Sequence, residues 1–344
     1  MKLVTVILVS IALVVINAYD LVLVWETHEP KDGILKITFS DNGHLGVASG
    51  DKCAYVFDAN GSLLGKKCGS KGMRDVDYSN GTFAFSNYDD YVYLLWENGT
   101  YWKEIYVGDE RNVAVEMLGN GFVVCESHCT RYDLQGNVIW DRVVTDRYVI
   151  DLESSGNYLY LTNFKGTHSY LEVRNLSDGS LVTNIDHENN VIKNLALRGN
   201  FLIASSFGVS YVYDISDPQN VSILGALGPA EDFAISPDSS YAVMVNSSKV
   251  VIYNTQGEAI YEAPISNALR VDWWNNLIAI GFEDGTVKVY KFLIEDEEPQ
   301  EEVATTVLHT ETNTQSTESQ SVSGIPFISI AVIPLTRLKR KLRK

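Results

Sequence analysis

The sequence predicts an all-β fold, a seven-bladed β-propeller, from the spacing of its glycines and the apolar runs beside them. Glycines at matched places are separated by 38, 37, 43 and 78 residues, the last gap being twice 39: Gly61, Gly99, Gly136, Gly179 and Gly257. Each lies between two aromatic-rich apolar runs, which is typical of a β-hairpin turn. A hairpin that recurs about every 40 residues indicates one four-stranded blade per period.

Residues 1–18 are expected to be a secretory signal peptide, with an uncleaved anchor as the alternative. Lys2 is followed by an apolar run over residues 3–16, and Ala18 is a small residue suited to cleavage. The chain from about residue 19 onward is therefore expected outside the cytoplasm.

The propeller is expected to span residues 19–294. Its strand runs divide into seven repeats, at 34–68, 73–107, 112–144, 147–186, 191–227, 230–264 and 268–293. The seventh repeat has only three strand runs, and the apolar segment 21–26 is expected to supply the fourth. This closure removes the exposed sheet edges that invite aggregation.

Residues 278–290 resemble a WD-repeat blade, with Tyr290 where that family often has Trp. Residues 39–43 and 235–238 are similar to the first turn of such blades, and residues 134–140 resemble the repeats of quinoprotein-like propellers. The resemblance implies membership of this propeller superfamily. It does not extend to quinone-dependent dehydrogenases, because their calcium-bound cofactor and catalytic Asp set is not matched here.

Residues 295–323 are predicted to form an acidic, Ser- and Thr-rich stalk, which cannot bury enough apolar surface to fold. Residues 324–344 join a short apolar segment to a basic tail. This order resembles the C-terminal anchors of archaeal surface proteins, and the positive-inside rule places such a tail in the cytoplasm. Because a helix needs about 20 residues to span a bilayer, an amphipathic or disordered tail is the alternative.

The formal net charge of −17 is unevenly distributed. The last eight residues contribute +6, Lys2 contributes +1 and residues 295–323 contribute −8, which leaves −16 for the propeller. A domain this acidic argues against nucleic acid as a partner, because phosphate binding needs a basic face.

The four cysteines predict two local disulfides. Cys53 and Cys68 are equidistant from the hairpin centre between Asn60 and Gly61, so they should face each other across two strands. Cys125 and Cys129 flank a short turn and should also pair, which suits an oxidising compartment. A four-cysteine metal site is the alternative, but structural zinc sites usually have two closely spaced pairs, and only one pair here is close.

Six sequons make the chain a candidate glycoprotein, since surface turns tolerate a glycan. They lie at Asn60, Asn80, Asn98, Asn175, Asn220 and Asn246.

Three arginines form a candidate ligand-binding cluster. Arg74, Arg111 and Arg147 open the first strands of blades two, three and four, with spacings of 37 and 36 residues. Equivalent positions in adjacent blades lie side by side around the channel, and guanidinium groups match carboxylates and other anions. Ion pairs with neighbouring acids are the alternative interpretation.

No catalytic motif, cofactor loop or metal-binding pattern is found, and the six histidines are interpreted as surface or turn residues. We therefore expect no cofactor and no metal. The sequence favours a non-catalytic cell-surface module that binds a protein, peptide or glycan and is attached to the membrane by its C-terminal segment. The alternative is a glycan lyase or hydrolase with acids at the channel, for which Asp77, Asp151 and Asp272 are the candidates.

Overall fold

The computed structural model describes residues 19–108, 114–143 and 148–294, which form seven four-stranded antiparallel sheets. These described residues contain 28 strands and no helix. The predicted fold class, an all-β propeller with seven blades, is confirmed.

The strands are numbered in chain order, and each blade takes four of them. Blade 1 contains β2 (Ile34–Phe39), β3 (Leu45–Ser49), β4 (Cys53–Phe57) and β5 (Leu63–Cys68); blade 2 contains β6 (Met73–Ser79), β7 (Thr82–Asn87), β8 (Tyr91–Trp96) and β9 (Tyr101–Tyr106). Blade 3 contains β10 (Ala114–Leu118), β11 (Gly121–Cys125), β12 (His128–Asp133) and β13 (Val138–Val143); blade 4 contains β14 (Tyr148–Ser155), β15 (Tyr158–Lys165), β16 (His168–Asn175) and β17 (Leu181–Glu188). Blade 5 contains β18 (Ile192–Arg198), β19 (Phe201–Ser206), β20 (Ser210–Asp214) and β21 (Ser222–Leu227); blade 6 contains β22 (Asp232–Ile235), β23 (Tyr241–Val245), β24 (Lys249–Asn254) and β25 (Ala259–Pro264). Blade 7 contains β26 (Ala268–Trp274), β27 (Leu277–Phe282), β28 (Val287–Ile294) and β1 (Tyr19–Thr27).

Blade 7 is closed by the N-terminal strand, as the sequence predicts. Strand β1 pairs antiparallel with β28, and Leu21 lies opposite Phe292. The first strand of the described chain thereby completes the last sheet, so the two ends of the propeller stabilise each other.

The apolar core lies between neighbouring blades. One cluster packs Trp25 and Val289 of blade 7 against Ile37, Leu45 and Phe57 of blade 1, all buried. The second strand of most blades is buried on both faces, which explains its near-continuous apolar sequence.

All seven blades share an irregularity in the outer strand. Where the third strand pairs with the fourth, the fourth carries one extra residue, a β-bulge. The residue that follows the bulge occupies an equivalent place in every blade, a point used below.

Both predicted disulfides are present. Cys53 bonds Cys68 across β4 and β5, and Cys125 bonds Cys129 across β11 and β12. Each pair lies directly opposite in its ladder. Two disulfides point to the oxidising surroundings of a secreted or extracellular protein.

The sequon asparagines differ in exposure. Asn60, Asn80, Asn98 and Asn220 are exposed, whereas Asn175 and Asn246 are partly buried and accept hydrogen bonds from neighbouring serines. Glycosylation at all six stays a prediction.

The predicted signal peptide, stalk and C-terminal anchor, residues 1–18, 295–323 and 324–344, lie outside the described residues. Within the described ranges, no helix has the length and hydropathy needed to span a bilayer.

Candidate functional site: the central channel

The innermost strand of each blade places polar residues on either side of one buried apolar residue. Their pairing with the second strand aligns the seven inner strands on that apolar position: Ile37, Val76, Val115, Leu152, Leu195, Phe233 and Val271. Since side chains alternate along a strand, the residues before and after it form two separate rings around the channel.

The two rings differ in charge. The residue before the apolar position gives what we name the mixed ring: Lys36, Asp75, Ala114, Asp151, Asn194, Asp232 and Arg270. The residue after it gives the acidic ring: Thr38, Asp77, Glu116, Glu153, Ala196, Ala234 and Asp272. The mixed ring holds three acids and two bases, whereas the acidic ring holds four acids and no base.

Aspartates of both rings bridge neighbouring blades. In each case a carboxylate oxygen accepts a hydrogen bond from a backbone N–H on the inner strand of the next blade. The pairs are Asp75 with Val115 (2.8 Å), Asp77 with Met117 (2.6 Å), Asp151 with Leu195 (2.8 Å), Asp232 with Val271 (3.1 Å) and Asp272 with Phe39 (2.6 Å). These bonds satisfy N–H groups on an edge strand that has no ladder partner on its channel side.

The bridges bear on the enzyme alternative. The three candidate acids Asp77, Asp151 and Asp272 each hold the backbone of the following blade. Asp77 and Asp272 also line the channel cavity, whereas Asp151 forms an ion pair. All three therefore have a structural role that explains their position without chemistry.

A buried ion pair crosses the channel at the mixed ring. Lys36 Nζ of blade 1 lies 3.0 and 2.9 Å from the two carboxylate oxygens of Asp151 in blade 4. Burial lowers the pKa of Lys36, but the carboxylates of Asp151, Asp75 and Asp232 outweigh it and hold that pKa well above its usual value. Lys36 is thus a fixed cation that binds opposite sides of the ring together.

The acidic ring has no comparable cation. Among the described residues, no lysine or arginine forms an ion pair with Asp77, Glu116 or Glu153. Burial raises the pKa of Asp77 to about 7, although hydrogen bonds from the backbone of Met117 and Tyr78 oppose it. Burial also holds the pKa of Glu116 and of Glu153 well above the usual value; the Asp77 carboxylate adds to this effect for Glu116, and the Lys36 ammonium opposes it for Glu153. The Asp77 carboxyl therefore gains its negative charge around neutral pH.

A cavity of about 730 Å³ occupies this half of the channel. It opens on the face that carries the turns between the first and second strands, with Asp41, Arg198, Pro237 and Trp274 among the residues of its wall. Its acidic wall residues outnumber its basic ones, Lys36 and Arg198, and are Asp41, Asp75, Asp77, Glu116, Glu153, Asp232 and Asp272. A cavity of this size and charge suits a cationic group.

The Trp273-Trp274 pair divides as strand alternation requires. Trp273 is buried between blades and stacks on Tyr241, whereas Trp274 is half-buried at the cavity and donates its Nε1–H to the backbone oxygen of Asp41 at 3.1 Å. Trp274 therefore gives the acidic cavity an aromatic wall.

Further basic side chains lie at and beside the mixed ring. Lys193 pairs with Glu231 at 3.0 Å, and Arg270 donates to the backbone oxygens of Leu269 and Leu35. Burial lowers the pKa of Arg270; the Asp232 carboxylate opposes this effect and the Arg74 guanidinium adds to it.

Of the predicted arginine cluster, only Arg74 lies within the described residues; Arg111 and Arg147 do not. Arg74 Nε is buried and has no hydrogen-bond partner among the described residues. The grouping of the three arginines stays a prediction.

Sequence reasoning missed Lys36, Glu116 and Glu153. Each lies next to the buried apolar residue of its inner strand, so an alignment of all seven inner strands would have placed them in the two rings. One histidine was also misread. His187 is neither a surface nor a turn residue: it is buried on β17, and its Nε2 lies 2.7 Å from the Tyr213 hydroxyl. Among the described residues, no group of His, Cys, Asp and Glu side chains is arranged to hold a metal ion.

No protein-family model matches the chain, and no curated protein matches it. Among solved structures, the chain is similar to the crystal structure of the computationally designed Ika8 protein, with a TM-score of 0.56 and 16% identical residues. That match covers 76% of this chain and 96% of the designed chain. At this identity the likeness supports the fold alone.

Proposed function

We propose that the protein is a non-catalytic binding propeller whose acidic cavity receives a cationic group of a protein, peptide or glycan partner. The observation that carries the proposal is the acidic ring, which holds four acids and no base of its own. Burying carboxylates without a cation is costly, and the neighbouring mixed ring of the same fold has cations. A ligand that brings its own positive charge would remove this cost on binding.

The cellular setting belongs to the same proposal. We place the chain in the WD-repeat and quinoprotein-like superfamily, at the surface of an archaeal-type cell and anchored by residues 324–344. The two disulfides support an extracellular location. The anchor is supported by the apolar segment and the basic tail that follows it.

The binding proposal is tested by thermal shift of the full chain with spermidine, a lysine-rich peptide and a glucosamine oligomer as cationic probes. Neutral and anionic sugars of similar size serve as negative probes. A ligand at 100 times its dissociation constant adds about 2.7 kcal/mol to the free energy of unfolding. We expect stabilisation by the cationic probes only, and for spermidine and the lysine-rich peptide it should be stronger at pH 8 than at pH 5, because Asp77, whose pKa is raised to about 7, is protonated at the lower pH.

Two matched variants distinguish the cavity from general surface charge. Glu116→Gln/Glu153→Gln removes two charges from the acidic ring, whereas Glu188→Gln/Glu262→Gln removes two exposed charges from outer strands. Only the first should abolish the shift. If none of the three cationic probes binds, or if both variants weaken binding equally, the proposed cavity function is wrong.

A glycan-acting enzyme is the second candidate, favoured by the raised pKa values of Glu116 and Glu153. A carboxyl that stays protonated near neutral pH is what a general acid needs. The test is product formation from a panel of polysaccharides by the wild-type chain and by Glu116→Gln. Turnover that this variant loses would replace the binding proposal with a catalytic one.

A further inference from the structure

The outer ends of the seams between blades are filled in different ways. At three seams, between blades 7 and 1, blades 1 and 2, and blades 3 and 4, the residue after the outer-strand bulge meets the turn between the third and fourth strands of the next blade. At two seams this residue is tryptophan. Trp25 of blade 7 covers Gly61 of blade 1, and Trp140 of blade 3 covers Gly179 of blade 4, so that a Cβ on either glycine would lie within 3.0 Å of the indole.

Both indoles are also hydrogen-bonded to the turn that they cover. Trp25 Nε1–H donates to the backbone oxygen of Ala59 at 3.0 Å, and Trp140 Nε1–H donates to that of Leu176 at 2.9 Å. At the seam between blades 1 and 2 the residue after the bulge is Gly65. The backbone of Gly99 fills the space that a side chain at this position would take, since a Cβ on Gly65 would collide with the Gly99 backbone.

The seam between blades 5 and 6 is filled neither by an indole nor by close approach of the backbone. Its two corresponding residues are Gly225 and Gly257, and a Cβ on either would have no heavy atom within 4 Å. The space is a groove of about 290 Å³. Its apolar walls come from both blades and include Phe201, Ile203, Leu224, Tyr241 and Tyr253.

The strand beside this groove is exposed and uncharged. Ile223 and Leu224 of β21 are 49% and 55% exposed. Strand β21 contains no charged residue and no proline, whereas each of the other six outer strands carries at least one charge. Since charged residues on edge strands prevent unwanted contacts, their absence at this one edge marks it as a contact surface.

The surroundings of the groove carry negative charge. Residues 199–248 contain no lysine or arginine; of their five acids, Glu231 and Asp232 lie at the channel and not at the groove. Asp238 and Glu258 adjoin Ser239 and Gly257 of the groove wall. A partner segment with basic residues would therefore be electrostatically complementary.

We propose that the groove between blades 5 and 6 binds a protein segment that presents a tryptophan side chain flanked by lysine or arginine. The indole takes the place that Trp25 and Trp140 occupy at the sister seams. The backbone oxygen of Thr255, two residues before Gly257, corresponds to that of Ala59, the acceptor for Trp25. This surface is separate from the channel, and the inference does not depend on the function proposed for the acidic cavity.

The test is fluorescence anisotropy of a labelled peptide, Lys-Lys-Val-Ile-Trp-Val-Lys-Lys, titrated with the full chain. The matched peptide has Ala in place of Trp. We expect saturable binding that weakens at least about tenfold in the Ala peptide, as for loss of a buried aromatic anchor. Equal binding of the two peptides would show general attraction of charge only and would overturn the proposal.

Substitutions at Gly225 locate the site. Gly225→Trp supplies the missing indole from the protein itself, so it should abolish peptide binding and raise the melting temperature, whereas Gly225→Ala should leave binding intact. A second variant, Leu224→Lys, lies at an exposed position and should weaken binding by repulsion without unfolding the chain. Unchanged affinity in both Gly225→Trp and Leu224→Lys would contradict the assignment.

Discussion

The mixed ring and the acidic ring lie two residues apart on the same seven strands, yet only the mixed ring contains lysine or arginine. Lys36 crosses the channel to Asp151, and Arg270 lies in the same ring as Asp232. In the acidic ring burial, and then the carboxylates of Asp77 and Glu153, raise the pKa of Glu116. The mixed ring shows that inner strands of this propeller can place lysine and arginine side chains in the channel. The absence of basic residues from the acidic ring is therefore not imposed by the fold.

The largest change in the free energy of unfolding is expected when the Lys36–Asp151 ion pair of the mixed ring is removed. Lys36→Met leaves Asp151 as a buried carboxylate without its cation and should lower the free energy of unfolding by about 3–5 kcal/mol. Urea unfolding at pH 7.5 measures this. A loss below about 1 kcal/mol would mean that the mixed ring does not depend on its ion pair.

An opposite, smaller effect is expected in the acidic ring. Asp77→Asn keeps an oxygen that can accept the Met117 N–H but removes the charge, and should raise the free energy of unfolding by about 1–2 kcal/mol at pH 7.5. The sign follows from the raised pKa. Because the folded state binds the proton more tightly, this carboxyl's stabilising contribution is full below pH 4 and is lost as the pH rises through about 7.

The control for this prediction is Asp77→Ala, which removes both the charge and the acceptor. It should be less stable than Asp77→Asn, because the Met117 N–H is left without a partner. If both variants lose stability by the same amount relative to wild type, a contact other than the Met117 N–H stabilises the Asp77 carboxylate.

The smallest effect is expected for an ion pair outside the channel. Lys249 lies 3.2 Å from Glu262 on the outer strands of blade 6, and both side chains are substantially exposed. Lys249→Met should change the free energy of unfolding by less than about 1 kcal/mol, measured by the same urea titration. A loss as large as that of Lys36→Met would remove the distinction between buried and surface pairs.

Features that repeat along the chain, or that lie within one hairpin, were predictable from the sequence. The blade period follows from the turn glycines, and the Cys53–Cys68 bond follows from the symmetry of one hairpin. Contacts between blades were not predictable. Lys36 and Asp151 are 115 residues apart, and their meeting depends on ring closure.

Packing at the seams between blades was likewise not predictable from the sequence. Gly225 reads as an ordinary strand glycine, and only its equivalence to Trp25 and Trp140 after the bulge shows that a side chain is missing there. That equivalence depends on a one-residue irregularity in each outer strand, which alternation of apolar residues does not reveal.

The most direct test of the central claim compares wild type, Glu116→Gln/Glu153→Gln and Glu188→Gln/Glu262→Gln in one experiment. The melting temperature of each full chain is measured at pH 8 with and without spermidine. If the acidic ring is kept for a cationic ligand at the expense of stability, the ring variant melts above wild type without spermidine and gains nothing from it, while the surface variant behaves like wild type. A ring variant that melts below wild type, or that gains as much from spermidine as wild type does, would contradict the claim.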